Sequence, residues 1–220
     1  MTHSPQKPSL KKLRPPQRDA QATQEKILEA AEREFSRHGL KGARIGEIAQ
    51  NSGVTTAMIY YYFQSKEGLY KAVLERPALE VQEIMSGLNL DQKPPIEALK
   101  AFIEAAIAYE AKHPHRGMLW FQEANQNGGE YFKLNKGSWS GIFAYINAIL
   151  ERGMADGSFR QLDPLVTIVQ ILGICIFYFN IHENWKHFMP DYDRLSPEAV
   201  NKHTQEAIDL ILNGVKASKI

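Results

Sequence analysis

From Ala20 onward the apolar positions recur every three to four residues, the signature of amphipathic helices. Ile27, Leu28, Ala31 and Phe35 line one face of a first helix expected from about Ala20 to His38, and Gly39 is placed for a left-handed C-cap. Ile45, Ile48 and Ala49 mark a short second helix, and Val54, Ile59 and Phe63 a short third one. Ser65 is the expected N-cap of a fourth helix that packs through Leu69, Ala72 and Val73. Pro77 deletes a backbone donor, so a kink or break is expected near Glu75 and Arg76.

A loop from Asn89 to Pro95 precedes a fifth helix over 96–112, with Ala98, Phe102, Ala105, Ala106 and Tyr109 facing inward. The sixth runs over about 116–125 and carries Met118, Leu119, Trp120 and Phe121. NQNGGE reads as a turn. The seventh helix carries Leu134, Trp139, Ile142, Phe143, Ile146, Ile149 and Leu150 and stops near Gly153. Asp163 and Pro164 open an eighth, apolar nearly all round through Phe179. Ser196 and Pro197 open a ninth with the stripe Val200, Ala207, Ile208, Ile211 and Val215. There is no repeat and no strand-like alternation, so the expected fold is all-α with about nine helices.

The stretch RIGEIAQNSGVTTAMIYYYFQSK, Arg44 to Lys66, has a chemistry of its own. Gly53 stands where two short helices must meet in a tight turn and a Cβ is costly. After it come small or hydroxyl-bearing residues, Thr55, Thr56, Ala57, Tyr60 and Tyr61, which suit close approach to a phosphate or a base edge. An αα-hairpin whose tyrosines are core and surface aromatics fits the same spacing.

The stretch from Thr23 to Leu74 resembles the DNA-binding domain of TetR-family transcriptional regulators. The resemblance is carried by Ile27, Ala30, Ala31 and Phe35, then Gly39, Ile48-Ala49, Gly53-Val54, Ile59-Tyr60, Phe63, Ser65-Lys66 and Leu69. It departs from the family at Ala43-Arg44, where a Thr or Ser often caps the second helix, and this makes Arg44 a phosphate contact in place of a hydroxyl.

The resemblance implies a homodimer with an amino-terminal three-helix helix-turn-helix reader and a carboxy-terminal helical domain for ligand binding and dimerisation. The implied division is a basic arm over 1–18, the reader over 19–68 and the helical domain over 69–220. The implied function is a ligand-responsive regulator, most often a repressor, which binds a palindromic double-stranded operator and is released by a small molecule. FRQLDP and the apolar helix after it also resemble the branch containing the pyrimidine-utilisation regulator, which names no effector here.

The expected DNA contacts are Arg44, Tyr60 and Lys66 on phosphates and Thr55, Thr56, Ala57 and Tyr61 on base edges or thymine methyls. The aromatics Trp120, Trp139, Phe143, Phe177 and Tyr178 exceed what close packing needs and are expected to wall a ligand pocket, with Glu123, Asn127 or Asn180 orienting the ligand. The eighth and ninth helices are expected to pair with a second copy through Ile168, Leu172, Ala207, Ile208, Ile211 and Val215. A ligand would then act by moving the sixth helix against the fourth.

Composition changes this picture little. Net charge is +1, but residues 1–75 hold twelve Lys or Arg against eight Asp or Glu, while the remainder holds fourteen against seventeen. A basic amino-terminal third suits a nucleic-acid reader. The arm combines Lys7, Lys11, Lys12, Arg14 and Arg18 with four prolines, which denies it a helix or a core. Cys175 is the single cysteine and sits in an apolar run, as an inert buried thiol would.

The start carries no signal-peptide core, and the longest apolar stretch, Leu165 to Ile181, is broken by Thr167, Gln170, Gly173 and Asn180. A cytoplasmic protein away from the membrane is expected. His113 and His115 lack further ligands for a metal site, and no cofactor is expected. A helical enzyme would need a catalytic constellation, and Glu123 and His182 are lone polar residues. A helical adaptor would have no use for the recognition-like face beside Lys66.

Overall fold

The computed structural model describes residues 17–134 and 136–217, without the side chains of Gln17, Arg18 and residues 134–139. The arm expected over 1–18 therefore lies outside the described residues, except that Gln17 begins the first helix with Arg18. The side chain of Trp139 also lies outside them.

The chain is built from α1 (Gln17–Gly42), α2 (Ile45–Ser52), α3 (Thr56–Phe63), α4 (Lys66–Gly87), a 3-10 turn (Leu90–Gln92) and α5 (Pro95–Lys112). There follow α6 (Gly117–Asn127), α7 (Glu130–Leu134), α8 (Lys136–Ala155), α9 (Pro164–Asn180), α10 (His182–Phe188) and α11 (Pro197–Val215). The expected all-α class holds; the two helices beyond the nine expected are the short α7 and α10. Among the described residues the β-pairing is one isolated bridge, Phe159 to Lys216.

Two hydrophobic cores form. The first joins Ile27, Ala31 and Phe35 of α1, Ile48 of α2, Ile59 of α3 and Leu69, Tyr70, Val73 and Leu74 of α4, with Leu119 of α6 inserted from outside. The second gathers Phe102 and Ile103 of α5, Ile146 and Leu150 of α8, Ile171 and Cys175 of α9 and Ile208 and Ile211 of α11 around Met85.

Helix α4 serves both cores. It runs through Pro77 without the break that is one of the two outcomes expected near Glu75 and Arg76. The missing donor leaves the carbonyl of Val73 without its helical partner, but Pro77 and Ala78 are buried, and packing on both sides keeps the helix continuous. The regular part of α1 ends at His38 as expected. Gly39 takes φ 63° and ψ −177°, a positive φ without the helical ψ of a left-handed cap, and beyond this kink a further turn continues to Gly42.

Among the described residues no single helix is long and apolar enough to cross a membrane; α9 and α10 together pass only as a pair bent by 61°.

Candidate functional site: a reading helix and an apolar cavity joined through α6

The reading face is set by two caps. Gly53 ends α2 at φ 69°, the left-handed region where a Cβ is strained, and the N–H of Val54 bonds back to Ala49 O at 3.1 Å. Thr55 then opens α3, its Oγ1 accepting from the N–H of Met58 at 3.3 Å. Ile59 is buried and locks α3 against the first core, which turns the opposite side outward. Thr56, Ala57, Tyr60 and Tyr61 are exposed there, Tyr61 at 70%. Met58, which the sequence reading left out, is exposed between them.

Arg44 caps α2 without a side-chain bond, its N–H donating to Glu34 Oε1 at 3.0 Å, and its own side chain is exposed. Lys66 is half-buried, with Nζ 3.4 Å from Lys41 O, so its charge lies beside the end of α1. The expected contacts are exposed, or half-buried in the case of Lys66, but the hydroxyl of Thr55 is committed to its cap.

Within the second half lies a cavity of about 410 Å³, within the size range of small-molecule pockets. Its walls come from α4 (Leu74, Pro77, Val81, Met85), α5 (Phe102, Ala106), α6 (Trp120, Phe121) and α9 (Leu172, Ile176). Trp120, Phe143, Phe177 and Asn180 line it as expected. Phe132 also lines it, its ring centroid 4.4 Å from that of Trp120.

Three of the expected pocket residues are elsewhere. Glu123 is fully buried and holds three elements together: its carboxylate accepts from Tyr70 Oη at 3.0 Å, Asn127 Nδ2 at 2.8 Å and the N–H of Tyr131 at 2.9 Å. Both Glu123 and Asn127 are therefore committed to structure. Tyr178 points the other way, stacked on His203 at 3.9 Å with the Arg194 guanidinium 3.9 Å from its ring centroid. Aromatic character alone does not say which side of a helix a ring occupies.

Besides Asn180, three polar side chains line the cavity that the sequence did not assign to it: Tyr109, expected only as an inward-facing helix residue, Glu110 and Arg116. Glu110 continues the stripe Phe102, Ala106 at a spacing of four, so an acid on an otherwise apolar face was the available signal. Its Oε2 is buried and without a hydrogen-bond partner, as is Oδ1 of Asn180. Burial pushes the Glu110 carboxyl up to about 7, and the nearby Arg116 charge only partly opposes this. Burial likewise pushes the Cys175 thiol up to about 12, in keeping with an inert side chain.

Helix α6 connects the cavity to the reader. At its start Arg116, only 3% exposed, places Nε 2.8 Å from Glu32 Oε2 of α1 and gives Nη1 to Glu80 of α4 and to Tyr109 Oη. His115 Nε2 lies 2.8 Å from Glu32 Oε1. Burial disfavours the Glu32 charge, but the close ion pairs with His115 and Arg116 outweigh it and hold the carboxyl down at about 2.

Further along, Gln122 Nε2 donates to Arg37 O at 3.3 Å and Gln126 Nε2 to His38 O at 3.1 Å, answering carbonyls left open at the end of the regular part of α1. The approach is close: a Cβ at Gly39 would lie 2.2 Å from the Gln126 side chain. Most of the polar grip of α6 is on α1, so α1 as well as α4 would feel the expected motion of the sixth helix.

The expected dimer residues need correction too. Ile168, Ala207, Ile208, Ile211 and Val215 are buried in the subunit's own core and Leu172 lines the cavity, so none offers a free apolar surface. Their stripe is the inner one. The outer faces of the same helices expose Leu165, Val166, Val169 and Phe177 of α9 and Leu210 of α11.

Residues 27–73 match the family model described as bacterial regulatory proteins, tetR family, and residues 95–211 the model described as tetracyclin repressor-like, C-terminal domain. The chain is 29% identical over 204 residues to the HTH-type transcriptional repressor NicS of Pseudomonas putida, covering 90% of this chain and 94% of that one. It is 27% identical over 154 residues to the HTH-type transcriptional regulator RutR of Escherichia coli K12, covering 70% and 72%. Among solved structures, the hemolysin II transcriptional regulator HlyIIR superposes with a TM-score of 0.67 at 26% identity, covering 90% of this chain and 99% of that one.

Proposed function

The chain belongs to the TetR family of bacterial regulatory proteins, transcriptional regulators and not enzymes, and from that premise we propose that it is a repressor whose dimer binds an inverted repeat and lets go when a small molecule fills the cavity. The observation that carries this reading is the continuous connection from one cavity, through α6, to the helix that frames the reader. In this reading 19–68 form the reader and 69–220 the effector and dimer domain, with α4 common to both.

Thr56, Ala57 and Tyr61 take the base edges, joined by Met58, whose side chain suits a thymine methyl. Arg44, Tyr60 and Lys66 take phosphates, and Thr55 contributes its cap and backbone. One short α3 reads few base pairs, so two copies set about one DNA turn apart, roughly 34–36 Å, are needed for specificity.

The dimer forms through the outer faces of α9 and α11. Val169 and Phe177 belong both to that face and to the cavity lining, so a second subunit seated there would narrow the cavity mouth. Leu210→Asp, on the exposed face, is expected to give folded monomers by light scattering, whereas Ile211→Asp buries an unpaired charge and costs the fold itself. A Leu210→Asp protein that remains a dimer with unchanged dissociation would rule this face out.

The deciding experiment for the function is footprinting and mobility shift on the DNA upstream of the protein's own gene, with and without cell extract. A symmetric footprint released by extract is expected; a single asymmetric half-site, or no binding, would overturn the reading.

A further inference from the structure

The end of the cavity where the last turn of α5, the start of α6 and the last residue of α9 meet is unlike the rest. Here the wall is formed by Glu110, Arg116, Gly117 and Asn180. Two acceptors, Glu110 Oε2 and Asn180 Oδ1, are buried without a partner, and a buried acceptor left unpaired is costly unless something arrives to satisfy it. Gly117 brings the chain so near Asn180 that a Cβ there would stand 1.9 Å from Oδ1, so Asn180 is packed against the start of α6.

The charge balance at this end decides between a positive and a negative visitor. Arg116 could attract an anion, but its guanidinium is already shared between Glu32 and Glu80. Glu110 is a third carboxyl in its field. The other cations nearby are paired with carboxylates too: Arg76 with Glu80 at 2.8 Å and Glu25 at 3.0 Å, although its Nη1 has no hydrogen-bond partner, and His115 with Glu32. Carboxyls outnumber the cations left to answer them, in a site walled by Phe102, Trp120, Phe143 and Phe177. A cation inside such an aromatic enclosure gains from the ring faces as well.

We propose that the effector is an organic amine with a flat apolar body and one protonated nitrogen, which donates to Glu110 and Asn180 while the body lies among the aromatic walls. This rests on the reading of the cavity as the effector site, and it adds the chemical class. With both side chains turned toward it, the amine satisfies the two orphaned acceptors and offsets the excess of carboxyls. A carboxylate ligand would add a further negative charge, has no proton to give Asn180 Oδ1, and could pair with Glu110 only in its protonated form.

The test is isothermal titration of the full chain with three probes of one shape: 2-naphthylmethylamine, 2-naphthylmethanol and 2-naphthoate. The amine is expected to bind at least tenfold more tightly than the naphthoate, with the alcohol between them. Glu110→Gln is expected to remove most of that preference, and Asn180→Leu to weaken the amine severalfold, each variant first checked for an intact fold by thermal unfolding. The wild-type comparison stands even if a variant fails to fold. Naphthoate binding as tightly as the amine, or a folded Glu110→Gln protein with unchanged preference, overturns the ligand class and leaves the pocket reading standing. Binding of none of the three overturns the pocket reading and this inference with it.

Discussion

The two sides of α6 are built on opposite principles. Toward α1 and α4 the polar ends are answered: Arg116 by Glu32 and Glu80, Glu123 by Tyr70, Gln122 and Gln126 by the carbonyls of α1. Toward the cavity, Gly117, Trp120 and Phe121 form a largely apolar wall, and the acceptors of Glu110 and Asn180 are unanswered. The first side can only lose by being disturbed. The second has something to gain from a visitor. In the proposed reading, a ligand that shifts the aromatic side would pull on a side that is already bonded to the reader, and coupling would run through the one helix that has both faces.

The bonded side is broken most sharply at Arg116. Arg116→Met keeps the apolar stem but leaves Glu32, only 3% exposed, paired with His115 alone. Breaking a buried pair from one side costs about 3–5 kcal/mol. Urea unfolding near neutral pH should show a loss of that order, and a loss under about 1 kcal/mol would place the contact among weak surface pairs. The effect has a pH window. Glu32 is depressed from 4.5 to about 2 in the fold, so its contribution is complete above the unfolded value and disappears as pH falls toward 2.

The unanswered side predicts the opposite dependence. Glu110 rises from 4.5 to about 7, and a raised acid binds its proton more tightly in the folded chain. Its protonated form stabilises the fold fully below 4.5, and that contribution is lost as pH climbs through about 7. A shift of this size corresponds to a cost on the order of 3 kcal/mol in the ligand-free protein at pH 8. Glu110→Gln carries no such charge, so it should be more stable than wild type at pH 8 and nearly equal at pH 4.5. Parallel thermal melts across that range check the sign, and a variant less stable at pH 8 would mean that the carboxylate is welcome in the cavity without a ligand.

How much of this was legible in the sequence differs between the two halves. The reader could be read closely, because its constraints are local: a glycine at φ 69° after α2, a Thr cap, a Ser cap and helical stripes all show themselves within a few residues. The all-α class and the long helices followed for the same reason. The site in the second half was read only in part, because facing depends on partners far along the chain. Trp120, Phe143, Phe177 and Asn180 reached the cavity, while Tyr178 turned to Arg194 and His203. Glu123 looked like a pocket acid until Tyr70, 53 positions away, claimed it. The stripe of Ile208 and Ile211 was seen correctly as apolar, but periodicity cannot tell a subunit's own core from its dimer face. Glu110 is legible without a structure, as an acid that continues the apolar stripe of Phe102 and Ala106.

Trp120→Ala separates the two sides with the smallest effect on stability and on DNA. The ring lines the cavity and is 39% exposed, so its removal sacrifices only part of a full burial, about 1–2 kcal/mol. The substitution touches none of Arg116, Gln122, Glu123 or Gln126, so the grip on α1 should persist. DNA affinity should then stay within about twofold of wild type, since nothing on the reading face or in its support has changed. Release by the effector should suffer, because the wall that transmits the ligand's push has been cut back. Mobility shifts with cell extract should therefore show the wild-type complex released and the variant complex retained. If the Trp120→Ala complex is released as readily as wild type, the push travels by another wall, and Phe121 and Phe177 become the residues to replace. If instead DNA binding itself collapses, the cavity side of α6 supports the reader as directly as the bonded side does, and the contrast between the two faces fails.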